Sequence, residues 1–220
     1  MPSPPKKTYF MKALILVDIQ NDFLPGGALQ VADGDKIIPI VNKVQREFDL
    51  IVLTQDSHPK DHGSFAVNHP GLRPYDQIKL NGLDQVLWPA HCVAGTPGEE
   101  FSFKLDIRRA KKVFKKGTDV GIDSYSGFFD NGRKQSTGLG EYLESQGVTD
   151  VFVCGLATDF CVKFTALDAI SLGFNTYLIE DACKGVNINP GDVENAIEEM
   201  RAAGIAIMQS KEITEPVRVR

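Results

Sequence analysis

A doubly wound α/β domain, with about six parallel strands and helices on both faces of the sheet, is the architecture this sequence predicts. Three observations carry it. Short apolar runs bounded by polar residues recur along the chain, as strands buried on both faces require. Between most of them lie stripes of apolar residues at three- and four-residue steps, the period of a helix with one buried face. Strands alternating with helices feed right-handed crossovers, and these build a parallel sheet.

In chain order, Lys12–Asp18 (KALILVD) is the first strand, and Asp35–Phe48 is a helix carrying Ile37, Ile40, Val41, Val44 and Phe48 on one stripe. Leu50–Thr54 is the second strand. Ser57–Ala110 then breaks the pattern with five prolines, many glycines and no sustained period. A connection of that length inside a compact domain reads as a functional loop. All four histidines of the protein, His58, His62, His69 and His91, lie in it. Strands resume at Lys112–Lys116, Asp150–Cys154, Thr176–Glu180 and Ala206–Met208. Thr158–Leu172 reads as a helix capped by Thr158, with Phe160, Phe164, Leu167 and Ile170 or Ser171 on its stripe and Gly173 ending it. Gly191–Ala203, with Val193, Ala196, Ile197 and Met200, is the last helix. Residues 1–10 read as a flexible extension and 11–220 as one domain.

Composition narrows the function. A chain of 220 residues that is 42% hydrophobic and 24% charged can bury a substantial core, which excludes disorder, collagen and coiled coil. A net charge of −5 argues against nucleic acid or an anionic membrane surface as partner. Apolar runs such as Ala13–Val17 are far shorter than the roughly 20 residues of a membrane span. Met1–Phe10 has no apolar signal core, and four cysteines in a chain this long make no disulfide scaffold. A cytoplasmic protein is expected; whether it forms a homo-oligomer is left open.

Open α/β sheets bind ligands beyond the carboxyl ends of their strands. Several reactive side chains fall there. Asp18 ends the first strand, Asp56 and His58 follow the second, Lys115, Lys116 and Gly117 end the third, and Gly155–Cys161 follow the fourth. Cys161, at the third position of a helix capped by Thr158, is the best nucleophile, since free N–H groups and the helix dipole favour a thiolate. The plainer reading is a small buried hydrophobe. Asp18 is either a proton acceptor for that thiol or a turn cap. Lys116 belongs to a basic run that alone would be solvated surface, and the register decides which of Lys115 and Lys116 points inward. Asp56-x-His58, with His91 further on, is a first shell for a divalent metal, zinc, iron or manganese. His62 is either a fourth ligand or a hydrogen-bond partner through water, and His69 is neither.

Seven segments in order strengthen this reading: Leu16–Leu24 (LVDIQNDFL), Asp56-Ser57-His58, His62–Phe65 (HGSF), Trp88–Pro97 (WPAHCVAGTP), Lys116-Gly117, Asp123–Phe128 (DSYSGF) and Gly155–Val162 (GLATDFCV). Together they closely resemble the nicotinamidases of the isochorismatase-like cysteine hydrolases, from about Met11 almost to Met208. The resemblance implies the isochorismatase-like hydrolase fold and a triad of Asp18, Lys116 and Cys161. It implies one divalent metal, most often zinc, on Asp56, His58 and His91, with His62 a ligand in some relatives. Phe23, Trp88 and Tyr125 are implied around the substrate ring, and the backbone N–H groups of Ala157 and Cys161 in an oxyanion hole, with a cis peptide between Leu156 and Ala157. The implied activity is hydrolysis of nicotinamide to nicotinate and ammonia through a thioester, in NAD salvage, with pyrazinamide as a side substrate. Ser57 departs from the aromatic residue many relatives carry there. Three rival readings stand beside it: a carbamoyl or ureido amidohydrolase of the same superfamily, a metallohydrolase with a passive Cys161, and a non-catalytic binder.

Overall fold

The computed structural model describes residues 11–214, so the expected extension at 1–10 lies outside the described residues. Six parallel strands form one sheet: β1 (Met11–Val17), β2 (Leu50–Asp56), β5 (Lys112–Lys116), β6 (Val148–Leu156), β7 (Asn175–Lys184) and β8 (Ala206–Met208). Their spatial order is β5-β2-β1-β6-β7-β8. All six strands foreseen are present, β5 and β8 with the expected bounds and β6 and β7 several residues longer. The strands are apolar because both their faces are covered: Ala13–Val17, Ile51–Leu53, Val151 and Val153 are all buried.

Chain direction across the sheet reverses between β1 and β6. Right-handed crossovers therefore place α1 (Ile38–Val44) on one face, and α2 (Leu139–Ser145) and α3 (Lys163–Ser171) on the other. α4 (Asp192–Ala202) leads into β8, and α5 (Ser210–Thr214) packs against α1 and β7. The helix expected over 35–48 is a helical run of three pieces, with tighter turns at Gly34–Ile37 and Gln45–Glu47 on either side of α1. The stripe foreseen for it is buried at Ile37, Val41, Val44 and Phe48.

Two departures matter for the site. The excursion after β2 is not wholly irregular, because it contains an antiparallel hairpin, β3 (Gln77–Leu80) with β4 (Leu83–Val86). The helix expected over 158–172 begins differently. Thr158 does not cap it; Ala157 stands at the N-cap and makes no side-chain cap bond, and Thr158–Val162 form one wide π turn closed by Val162 N–H donating to Ala157 O at 3.1 Å. That turn inserts an extra residue and rotates the following helix by roughly 100°. The face against the sheet is therefore Val162, Thr165, Ala166 and Ala169, while Phe164 stays exposed and Phe160 half-buried. Gly173 ends α3 as expected, at φ +93°.

Candidate active site

The strand-order reversal between β1 and β6 opens a crevice at the carboxyl ends of the strands. β1 stops at Val17, and Asp18 takes a left-handed turn (φ +49°) that drives its carboxylate into the interior. Gly155 of β6 runs so close to Val17 that a Cβ there would meet the Val17 carbonyl at 2.1 Å. Thr54 Oγ1 donates to Asp18 Oδ1 at 2.6 Å.

Lys116, the last residue of β5, is buried at the centre. Its Nζ lies 2.9 Å from Asp18 Oδ2, 3.3 Å from Cys161 Sγ and 3.0 Å from the Ser124 carbonyl, and it also pairs with Asp56 Oδ1. Its neighbour Lys115 points outward, to Glu99 at 2.8 Å, so the register sends Lys116 inward. The electrostatics follow from burial and this one cation. Burial lowers the Lys116 pKa, but Asp18 and Asp56 more than offset it and hold the ammonium well above the usual lysine range. Burial raises Asp18 above the ordinary carboxylate range despite Lys116. Burial also pushes the Asp56 carboxyl up, but Lys116 and His58 prevail and keep it ionised. The Cys161 pKa is pushed well up, by burial first and the two carboxylates besides, against the pull of Lys116. Burial and the carboxylates thus work against the helix-terminal stabilisation of a thiolate expected from the sequence.

Asp56, His58 and His91 bring one donor atom each within 4.8 Å of one another, all buried. Asp56 Oδ2 lies 3.6 Å from His58 Nε2 and 3.8 Å from His91 Nε2. Both rings are anchored at the far nitrogen: His58 Nδ1 meets Gly117 O at 2.8 Å, and His91 Nδ1 meets Pro89 O at 2.8 Å. A backbone carbonyl can only accept, so each Nδ1 carries a proton, and Nε2 is the nitrogen that faces Asp56 and would give its lone pair to a metal. That donor set fits a divalent metal ion. Gly117 makes the approach feasible, since at φ +64° a Cβ would sit 2.3 Å from His58 Cε1. His62 is not one of this trio, although its ring centroid lies only 4.4 Å from that of His58. Its Nδ1 meets Ser64 Oγ at 2.7 Å, and its Nε2 has no hydrogen-bond partner among the described residues. It groups instead with His58 and Asp123. His69 braces its own loop through Gly63 O at 2.7 Å. Ser57 is buried behind the trio, 3.3 Å from Lys115 Nζ.

A cavity lined by Phe23, Trp88, Tyr125, Ala157 and Cys161 joins the thiol to Asp56, His58 and His91. Phe23 packs against the His91 ring at 5.4 Å, and Trp88 Nε1 donates to Tyr125 Oη at 3.2 Å. The peptide between Leu156 and Ala157 is cis. Sequence reasoning missed Phe160, Leu29, Asp123 and Val186, which also line the cavity. Phe160, edge-on to Trp88 at 4.8 Å, was assigned to a helix core stripe; its position directly before Cys161 was the available signal.

Residues 12–212 match the family model described as the isochorismatase domain. The chain belongs to the isochorismatase family, whose fold it shares. Within that family its similarity is to nicotinamidases. It is 49% identical over 201 residues to a nicotinamidase of Acinetobacter baylyi, covering 91% of this chain and 94% of that one. A solved nicotinamidase/pyrazinamidase from Acinetobacter baumanii superposes with a TM-score of 0.91 at 48% identity, covering 94% of this chain and all of the other. A pyrazinamidase of Pyrococcus horikoshii, solved in complex with zinc, gives a TM-score of 0.74 at 44% identity, covering 90% and 98%.

Proposed function

We propose that this protein hydrolyses nicotinamide to nicotinate and ammonia through a thioester on Cys161, with pyrazinamide as a second substrate. The observation that carries the reading is the buried Lys116 ammonium, 2.9 Å from Asp18 and 3.3 Å from the sulfur of Cys161, which itself lines a pocket walled by aromatic rings. Asp18 takes the thiol proton as sulfur bonds to the carboxamide carbon. Lys116 offsets the charge on both groups. The oxyanion is assigned to the backbone N–H groups of Ala157 and Cys161, a donor type worth about 3–4 kcal/mol each. As the C–N bond breaks, Asp18 returns the proton to the departing nitrogen, releasing ammonia. Water then attacks the thioester, giving its proton to Asp18, and the thiol is regenerated with nicotinate free.

Asp56, His58 and His91 are assigned as the metal ligands, and two imidazoles with one carboxylate suit zinc, with iron or manganese the alternatives. A bound ion supplies a coordination position for the ring nitrogen and so orients the carboxamide toward Cys161. Phe23, Trp88 and Tyr125 are assigned to the faces and edge of the ring. Among the described residues no helix is long and apolar enough to cross a membrane. We place the reaction in the cytoplasm, in NAD salvage.

The reading is tested by ammonia and nicotinate release from nicotinamide by the purified protein with zinc supplied. A silent enzyme would overturn it and turn the search to carbamoyl and ureido amides. Chelator treatment is expected to cut kcat/KM by about 100-fold or more, and zinc to restore it, since coordination fixes the ring. The pH profile carries a further expectation. Asp18 must be ionised to act as base, and burial raises its pKa. Activity therefore falls about tenfold per unit as pH drops through that value, with an acid limb above the ordinary carboxylate range. A limb at or below pH ~4 would remove Asp18 from this role.

A further inference from the structure

Gln20 is fully buried, and the mechanism gives it no part. Its surroundings explain why an amide stands there. In a parallel sheet the N–H and C=O of one residue point to the same neighbouring strand. Those of Asp56 point toward β1, on the opposite side from Ser57, whose N–H donates to Lys116 O of β5 at 3.0 Å. But β1 has ended by then: its last pair with β2 is Val17 with Thr54, and Asp18 has turned away. Two buried backbone groups of Asp56 would be left without partners. The Gln20 side chain supplies both, with Oε1 accepting from Asp56 N–H at 2.8 Å and Nε2 donating to Asp56 O at 2.8 Å. A primary amide has the donor and acceptor of a peptide group, so Gln20 extends the sheet by one side chain. Its second Nε2 hydrogen goes to Glu99 O at 2.8 Å, on the loop that also carries His91.

We infer that Gln20 is a positioning residue for the metal-binding trio: its amide locks the Asp56 backbone in register with the His91 loop. The inference rests on the reading of Asp56, His58 and His91 as metal ligands. Its test is the zinc affinity of the full chain, measured by chelator competition, for the parent, Gln20→Met and Gln20→Glu. Far-UV circular dichroism and thermal midpoint of the zinc-free proteins report folding separately. Gln20→Met removes donor and acceptor at similar size, and zinc affinity is expected to fall ~10–100-fold. Gln20→Glu keeps the acceptor for Asp56 N–H but sets an anion against two carbonyls, and the loss is expected to be at least ~10-fold. Should Gln20→Met fail to fold, Gln20→Glu carries the test. A folded variant binding zinc within about threefold of the parent overturns the inference, whatever its thermal midpoint, because a merely structural residue behaves that way. A parent that binds no zinc overturns the metal reading instead.

Discussion

Cys161→Ala is expected to abolish ammonia release from nicotinamide, lowering kcat by at least ~10⁴-fold, as loss of a covalent nucleophile does. The substitution is small and the residue is buried, so the fold should persist. The zinc affinity of the variant should match the parent's, because Sγ is not part of the Asp56, His58 and His91 trio. The comparison thus separates two chemistries within one cavity. Substantial activity retained by a zinc-loaded Cys161→Ala protein would mean that water activated at the trio attacks the amide directly, and the thioester route would fall. Mass spectrometry of the parent quenched during turnover gives a second check, with an acyl adduct expected on Cys161.

The second large effect is on Lys116→Met. Lys116 is the cation between two buried carboxylates, so removing it leaves Asp18 uncompensated and Asp56 with only the imidazoles of His58 and His91. Breaking a buried ion pair from one side typically costs about 3–5 kcal/mol, and here a like-charge pair is exposed as well. Activity should vanish with it. The pH dependence has a defined sign. In the parent, Asp56 titrates well below its ordinary value because Lys116 and His58 outweigh its burial. Its contribution is present above the unfolded carboxylate pKa and lost as pH falls through the folded one. Without Lys116, burial raises Asp18 further and works on Asp56 against His58 and His91 alone, so the variant loses stability as pH rises. Urea denaturation of the zinc-free proteins should show the gap widening from pH ~4 to neutrality. A gap independent of pH would mean that packing, and not charge, sets the role of Lys116.

The parallel strands were legible because burial on both faces leaves runs such as Ala13–Val17 with no polar break. The helix α2 and the β3–β4 hairpin were not. In α2 only Leu139, Gly140 and Leu143 are buried, too few to mark a period, and the hairpin strands are largely half-buried or exposed. The phase of α3 was misread because nothing in Thr158–Val162 announces an extra residue per turn. The basic run favoured a surface reading of Lys116 and only its strand-end position argued otherwise; the resemblance singled it out, and the register with β2 explains how a lysine in a basic run reaches the interior. The anchors of His58 and His91 are carbonyls of Gly117 and Pro89. Every residue has a carbonyl, so no residue type could reveal them.

The trio also joins two distant stretches of chain. Asp56 and His58 sit at the end of β2, whereas His91 comes from beyond the β3–β4 hairpin. An ion held by all three would close a loop of roughly 35 residues, and a closure of that size restricts chiefly the unfolded and partly opened chain. The ion would then be a rivet as much as a reagent, pinning both ends of an excursion that gives His58, Trp88 and His91 to the pocket wall. Stripping it should loosen that excursion first, so that a protease cuts between Lys60 and Arg73 well before it reaches the strands of the sheet.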